Sequence, residues 1–127
     1  MHETAFRRAF REVSAREEVR ARRLGTDAII DLVIETTQPP DFGVEYETAV
    51  VMVGRLRRER YDYREETRPR RLFWLDMLRR VDRLMAPPYN LRLCAAVQKV
   101  LAYQRPSKWY MSKAAAHRLI RADSVLK

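Results

Sequence analysis

The chain has 127 residues, of which 46% are hydrophobic and 34% are charged, and its formal net charge is +9 at pH 7. This composition is typical of a single folded domain, here residues 1–127, and argues against intrinsic disorder. The longest apolar run, residues 49–53, is far shorter than the ~20 residues of a membrane-spanning helix. Charged residues also interrupt the start of the chain, where a secretory signal would be apolar. The single cysteine, Cys94, excludes an internal disulfide, so we expect a reducing, cytoplasmic setting.

Two helices are predicted in the first third of the chain. Residues 4–24 have apolar side chains at helical spacing, and Gly25 is the expected stop of this helix. A second helix is predicted over about residues 27–37, where a proline pair follows. Its β-branched residues leave a strand as the alternative. The four-residue spacing of its carboxylates favours the helix, because that spacing places them on one face.

The third and fourth helices are predicted on either side of an arginine-rich connection. The third runs from about residue 44 to about residue 60, with carboxylates at its start and arginines at its end, as the helix dipole favours. The fourth, over about residues 69–85, has Pro69 in its first turn. Its apolar side chains cover an arc of roughly 200°, so it is expected to be the central core helix. The opposite, polar arc holds Asp76 together with three arginines.

The last third is predicted to contain a fifth helix and a short sixth helix. Asn90 is the expected cap of the fifth, which ends near Tyr103, and Ser112 is the expected cap of the sixth, over residues 113–122. Cys94 belongs to the apolar arc of the fifth helix, so a buried and unreactive thiol is expected. Together the elements predict an all-α bundle of five to six helices in a single domain.

The charge is distributed unevenly along the chain. Residues 25–54 carry six carboxylates and no basic residue, whereas residues 92–127 carry eight basic residues and one carboxylate. Of the 26 basic residues, 22 are arginines, whose planar guanidinium groups suit phosphates and guanine edges. Codon bias in a GC-rich genome explains the same preference equally well. The net charge favours an anionic partner, for which nucleic acid, a membrane surface and an acidic protein are the candidates.

Residues 103–121 combine basic side chains with large aromatic rings and contain no carboxylate. This pattern is typical of nucleic-acid-binding proteins, although an ordinary solvated surface is the alternative for the charges. For Trp109 and Tyr110, an apolar latch that docks the last helix is favoured over base stacking. A helix-turn-helix is disfavoured, because the connection before the last helix is longer than the usual turn of about 3–4 residues. The predicted nucleic-acid-binding residues are the basic ones: Lys99, Arg105, Lys108, Lys113, Arg118 and Arg121.

A second arginine-rich stretch, residues 55–71, contains eight arginines and two tyrosines. Four carboxylates lie among them, so local neutralisation is the favoured interpretation. Phosphate binding at this stretch is therefore a secondary hypothesis.

Asp27, Asp31 and Glu35 recur every fourth residue and form an acidic face. A metal site is disfavoured there, since the Glu-x-x-His motif of di-metal helical bundles is absent. We expect the face to meet arginines, either of the first helix or of a neighbouring copy of the chain. These three carboxylates are the predicted protein-interface residues, and a homo-oligomer or a protein partner is the corresponding expectation.

Enzymatic signals are absent from the sequence. Two histidines, three glycines and one cysteine form no catalytic, phosphate-binding or zinc-binding motif. We therefore expect a non-enzymatic protein with no cofactor, metal or small-molecule substrate. The first hypothesis is nucleic-acid binding, DNA or RNA, mainly through phosphate contacts of the C-terminal third. The alternative is a structural or adaptor protein that assembles through the acidic residues 25–54 and the basic residues 92–127.

Overall fold

A computed structural model describes residues 3–58 and 67–125 of the chain, and the side chains of these residues up to position 122. Within these ranges the chain forms seven α-helices and no strand, which confirms the all-α prediction. In chain order the helices are α1 (Glu3–Ala15), α2 (Glu17–Arg22), α3 (Thr26–Thr36), α4 (Tyr46–Arg57), α5 (Arg68–Met85), α6 (Leu93–Tyr103) and α7 (Lys113–Val125).

The helix count exceeds the expected five or six because the first predicted helix is broken at Arg16, which takes an extended conformation. The hydroxyl of Ser14 donates to the carbonyl oxygen of Phe10 at 2.7 Å, a bond to the preceding turn of a kind that often bends helices. In one straight helix, Val13 and Val19 would point about 120° apart. The break between α1 and α2 allows both valines to be buried in the same hydrophobic cluster.

The boundary between α2 and α3 also differs from the prediction. α2 ends at Arg22, and the next residue, Arg23, takes the left-handed conformation at φ 50°. Gly25 has an extended conformation directly before α3, so its prediction as the helix stop is wrong. The chain turns two residues earlier, at Arg23, where the left-handed conformation costs a non-glycine residue roughly 1–2 kcal/mol. The helical interpretation of the next element, against the strand, is confirmed by α3.

The central core helix is α5, as predicted. Phe73, Trp74, Met77 and Val81 are its buried apolar residues, and it packs against both α4 and α6. Pro69 lies in its first turn, where the missing N–H of proline has no intrahelical partner to lose. Asp76 is the one polar residue among the buried positions of α5.

The prediction that Asn90 caps the fifth helix is wrong. Asn90 has φ 52° and lies in a turn, where its N–H donates to the carbonyl oxygen of Ala86 at 3.0 Å. α6 begins at Leu93 and is preceded by Arg92, which makes no side-chain cap. Asparagine tolerates the left-handed region better than most residues, so Asn90 suits the turn and does not cap α6.

Cys94 is exposed, and the prediction of a buried thiol is wrong. The buried stripe of α6 consists of Ala96, Val97 and Val100. At helical spacing Cys94 points about 120° away from Val100. The cysteine therefore lies beyond the edge of the stripe, although it is apolar in character.

Two hydrophobic clusters form the core of the described chain. The terminal cluster contains buried side chains of α1, α2, α3 and α7, together with Trp109. The middle cluster contains those of α4, α5 and α6, together with Phe42. Residues 37–45 and 104–112 connect the helices of one cluster with those of the other. The second of these connections carries two of the predicted binding residues, Arg105 and Lys108.

The cap of the last helix is as expected, since the Ser112 hydroxyl accepts a hydrogen bond from the N–H of Ala115 at 3.1 Å. None of the helices in the described part of the chain has the length and apolar character needed to cross a bilayer.

Candidate nucleic-acid interface

The connection at residues 104–112 is held in place by a buried carboxylate. Asp76 of α5 is only 8% exposed. It accepts hydrogen bonds from Arg80 Nε at 2.8 Å, from the Ser107 backbone N–H at 2.8 Å and from the Tyr110 hydroxyl at 2.9 Å. Burying a charged group is costly unless it is paired and hydrogen-bonded, and Asp76 is both. The carboxylate therefore fixes the connection to the middle cluster.

Arg80 extends this network along the connection. Its Nη1 donates to Gln104 Oε1 at 3.0 Å, and its Nη2 donates to the Ser107 hydroxyl at 2.9 Å. Its guanidinium carbon also lies 5.6 Å from the centre of the Phe42 ring. Arg80 therefore joins α5 to two points of the connection, because its planar guanidinium group presents several N–H donors in a fixed arrangement.

The network sets the protonation states of its members. Burial acts to raise the pKa of Asp76, but the hydrogen bonds from Ser107, Arg80 and Tyr110 outweigh burial and hold that pKa below its usual value. Burial, together with the hydrogen bond to Asp76, raises the pKa of Tyr110 to about 12. Asp76 is consequently ionised and Tyr110 protonated throughout the neutral range, so the hydrogen bonds persist.

Trp109 attaches the same connection to the terminal cluster. Its side chain is 3% exposed, and its ring packs edge-on against Phe6 of α1 with centroids 5.2 Å apart. The indole N–H donates to the Thr37 hydroxyl at 2.8 Å, at the end of α3. The latch interpretation is confirmed for Trp109. Tyr110 is half-buried and packs edge-on against Phe73, so it belongs to the same anchoring system.

Arg105, a predicted binding residue, has partners inside the chain. Its Nε donates to the carbonyl oxygen of Pro39 at 2.9 Å, and its Nη2 donates to that of Gln38 at 3.0 Å. Both acceptors lie in the other connection between the clusters. Arg105 therefore joins the two connections to each other, and a phosphate would have to compete with these hydrogen bonds.

Lys113, another predicted binding residue, lies between two carboxylates of α3. Its ammonium group donates to Asp27 Oδ2 at 2.8 Å and to Asp31 Oδ2 at 3.2 Å. His117, one turn further along α7, places Nε2 at 2.9 Å from Asp27 Oδ1. The hydrogen bonds from Lys113 and His117 lower the pKa of Asp27, and the contacts with Asp27 and Asp31 raise the pKa of Lys113.

These contacts revise the interpretation of the acidic face. The expectation that Asp27 and Asp31 meet arginines of the first helix is wrong for the described residues, because their partners there belong to α7. A contact with another copy of the chain stays a prediction. Glu35 is exposed and lines another wide cleft of about 740 Å³, between α1, the end of α3 and the connection at residues 104–112, which Lys108 also lines.

Lys108 and Arg118, also predicted binding residues, line a common cleft of about 490 Å³. The cleft lies between the start of α5, the connection and α7, and Arg70 of α5 lines it as well. Glu3 contributes the one carboxylate among its described lining residues. A shallower groove beside it is lined by Arg68 and again by Lys108. We call the cleft with this groove the basic cleft.

The remaining two predicted residues, Lys99 and Arg121, are exposed. Arg121 follows Arg118 by three residues on α7, which places both on the same side of the helix. Lys99 lies on α6 and does not line the basic cleft. The structure therefore brings Lys108 and Arg118 together, engages Arg105 and Lys113 inside the fold, and leaves Lys99 apart.

Sequence reasoning missed Arg68 and Arg70 as lining residues, because the whole stretch 55–71 was interpreted as neutralised. A signal was present, since all four carboxylates of that stretch precede Thr67, and the first turn of α5 contains none. Residues 59–66 lie outside the described residues, so local neutralisation in that part stays a prediction. Asp76 was missed too, because its neighbours on the polar arc of α5 are arginines.

No family model, curated protein or solved structure matches the chain.

Proposed function

We propose that this protein binds nucleic acid without catalysing a reaction on it, through phosphate contacts centred on the basic cleft. The observation that carries the proposal is that Lys108 and Arg118, from different segments of the chain, line one cleft. Cations that line one cleft repel each other, and an anion that binds between them offsets this repulsion. A solvated helix face, in contrast, does not require cations from separate elements to converge.

The role of each basic residue follows from its partners in the structure. Lys108 and Arg118 contact phosphates at the cleft, while the exposed Lys99 and Arg121 add contacts further along the strand. Arg105 acts inside the fold and holds the connection that carries Lys108. Each phosphate neutralised by a basic side chain releases counterions, so the affinity depends steeply on salt.

The test is fluorescence anisotropy with labelled DNA and RNA at about 20 mM salt, where the screening length exceeds ~10 Å. The double variant Lys108→Gln with Arg118→Gln is expected to weaken binding about tenfold or more. The matched control, Arg20→Gln with Arg22→Gln, removes the same charge from exposed positions of α2. It is expected to change the affinity less than about twofold. Absence of binding by the wild type, or an equal loss in both variants, contradicts the proposal.

The alternative function, assembly through acidic and basic surfaces, draws less support from the same contacts. Two of its three predicted interface carboxylates, Asp27 and Asp31, already pair with Lys113 of the same chain. A partner surface would have to replace these contacts. Light scattering at low and high salt separates the two functions, because a stable oligomer with no affinity for nucleic acid favours assembly.

A further inference from the structure

The basic cleft has a second property that phosphate binding alone does not require, namely an apolar floor. Phe73 and Tyr110 of the middle cluster line it, and so do Met111 and Leu119, which pack against the terminal cluster. Its volume of about 490 Å³ lies within the range of ~300–1,000 Å³ that is usual for small-molecule sites. An inorganic anion would leave most of this floor without contacts.

The walls of the cleft are fixed before any ligand arrives. The Tyr110 hydroxyl is held by Asp76 at 2.9 Å, and the Tyr110 ring lies edge-on to Phe73 with centroids 6.1 Å apart. The Lys108 ammonium group lies 5.6 Å from the centre of the same tyrosine ring, at the wall of the cleft. A preformed apolar floor with cations at its edge lowers the ordering cost of binding a ligand that has both an apolar and an anionic part.

A nucleotide is such a ligand, because it combines a flat base with a phosphate. In a duplex the bases are stacked and paired, so a base enters a pocket only from a single strand or after it leaves the stack. We propose that the basic cleft takes up one unpaired nucleotide, with the base on the apolar floor and the phosphate at Lys108 and Arg118. This inference rests on the proposed function and adds to it a preference for single strands.

The first test fills the cleft without changing its charge. Ala115 of α7 lines the cleft, whereas its neighbour Ala114 is exposed and does not line it. A twelve-nucleotide oligothymidine and a duplex of the same length are the probes, at equal salt. The wild type is expected to bind the single strand about tenfold more tightly, the value of one well-stacked base. Ala115→Trp is expected to weaken single-strand binding more than duplex binding and so to remove this preference, while Ala114→Trp retains it.

A second pair of variants keeps the test decisive if Ala115→Trp does not fold. Lys108→Glu with Arg118→Glu reverses two charges at the cleft, and Lys99→Glu with Arg121→Glu reverses two charges outside it. Only the first pair is expected to abolish the single-strand preference, although both weaken binding overall. Equal affinities of the wild type for the two probes overturn the inference, and so does a preference that survives in the cleft variants. In either case nucleic-acid binding itself still stands.

Thymidine monophosphate separates this inference from the proposed function. It is expected to raise the melting temperature of the wild type and of Ala114→Trp, and to leave that of Ala115→Trp unchanged. A shift of this kind in a protein that binds neither oligonucleotide supports the nucleotide site and contradicts the proposed function. If neither the mononucleotide nor the oligonucleotides bind, both are overturned.

Discussion

Two groups of basic residues in the C-terminal third look alike in sequence and differ in the structure. Arg105 and Lys113 have acceptors within the chain, in the carbonyl oxygens of Gln38 and Pro39 and in the carboxylates of α3. Lys108 and Arg118 line an open cleft where the described residues supply one carboxylate. Net charge therefore overstates the surface available to an anion, because part of it is used to hold the fold together.

One member of each group, Arg105 or Lys108, lies on the connection that the buried Asp76 holds in place. Asp76→Ala is expected to destabilise the protein by about 3 kcal/mol, because Arg80 and Tyr110 lose their shared acceptor in a partly buried site. Urea denaturation measures this. Asp82→Ala is the control, since Asp82 is half-exposed and pairs with Arg57 at the surface. A similar loss in both variants contradicts the account of the network.

The same carboxylate makes stability depend on pH. The pKa of Asp76 and that of Asp27 lie below their ordinary value in the folded protein. A carboxyl group with a lowered folded-state pKa contributes stability that is complete above its unfolded-state pKa, and that is lost as pH falls through the folded-state value. The urea midpoint is therefore expected to fall steadily below about pH 4. Asp76→Asn flattens this dependence, and an unchanged slope in that variant would contradict its role.

Arg105 and Arg118 provide the direct contrast between the two groups. Arg105→Ala removes two hydrogen bonds to carbonyl oxygens and is expected to cost about 1 kcal/mol of stability. Once folded, this variant should bind nucleic acid nearly as well as the wild type. Arg118→Ala is expected to change stability by less than about 0.5 kcal/mol and to weaken binding. Urea denaturation measures the stability of both variants, and anisotropy measures their affinity for nucleic acid. A larger loss of affinity in Arg105→Ala than in Arg118→Ala would contradict the assignment of the two residues.

The smallest effect is expected for Lys113→Gln. Its contacts with Asp27 and Asp31 are exposed, and exposed ion pairs contribute little because water and salt screen them. The urea midpoint and the affinity for nucleic acid should both remain close to those of the wild type. A clear loss of affinity would show that Lys113 leaves its carboxylates to contact phosphate.

Much of the fold was predictable from the sequence, because it depends on local patterns. Apolar spacing identified α5 and its central position, the four-residue spacing of carboxylates identified α3, and Ser112 was recognised as the cap of α7. The break at Arg16 was not predictable, since neither glycine nor proline marks it. Cys94 was misplaced because hydrophobicity alone did not reveal how narrow the buried stripe of α6 is.

For the basic cleft, the sequence predicted which kinds of residue take part but not how they are arranged. The sequence identifies the basic residues, but their partners come from distant positions, as in the pair of Lys113 with Asp27, which are 86 residues apart. Asp76 has arginines beside it on α5, and its burial depends on Ser107 and Tyr110, 31 and 34 residues away. Long-range contacts of this kind decide which charges face outward, and helical periodicity contains no information about them.

The salt dependence of nucleic-acid affinity tests the central claim most directly. The logarithm of the association constant for a single strand is measured against the logarithm of the salt concentration, for the wild type, for Lys108→Gln with Arg118→Gln, and for Lys113→Gln. The account predicts that the cleft variant reduces the slope by about 1.4, two phosphates at ~0.7 each, while Lys113→Gln leaves it unchanged. A slope that falls in Lys113→Gln and persists in the cleft variant would contradict the division of basic residues on which the proposed function depends.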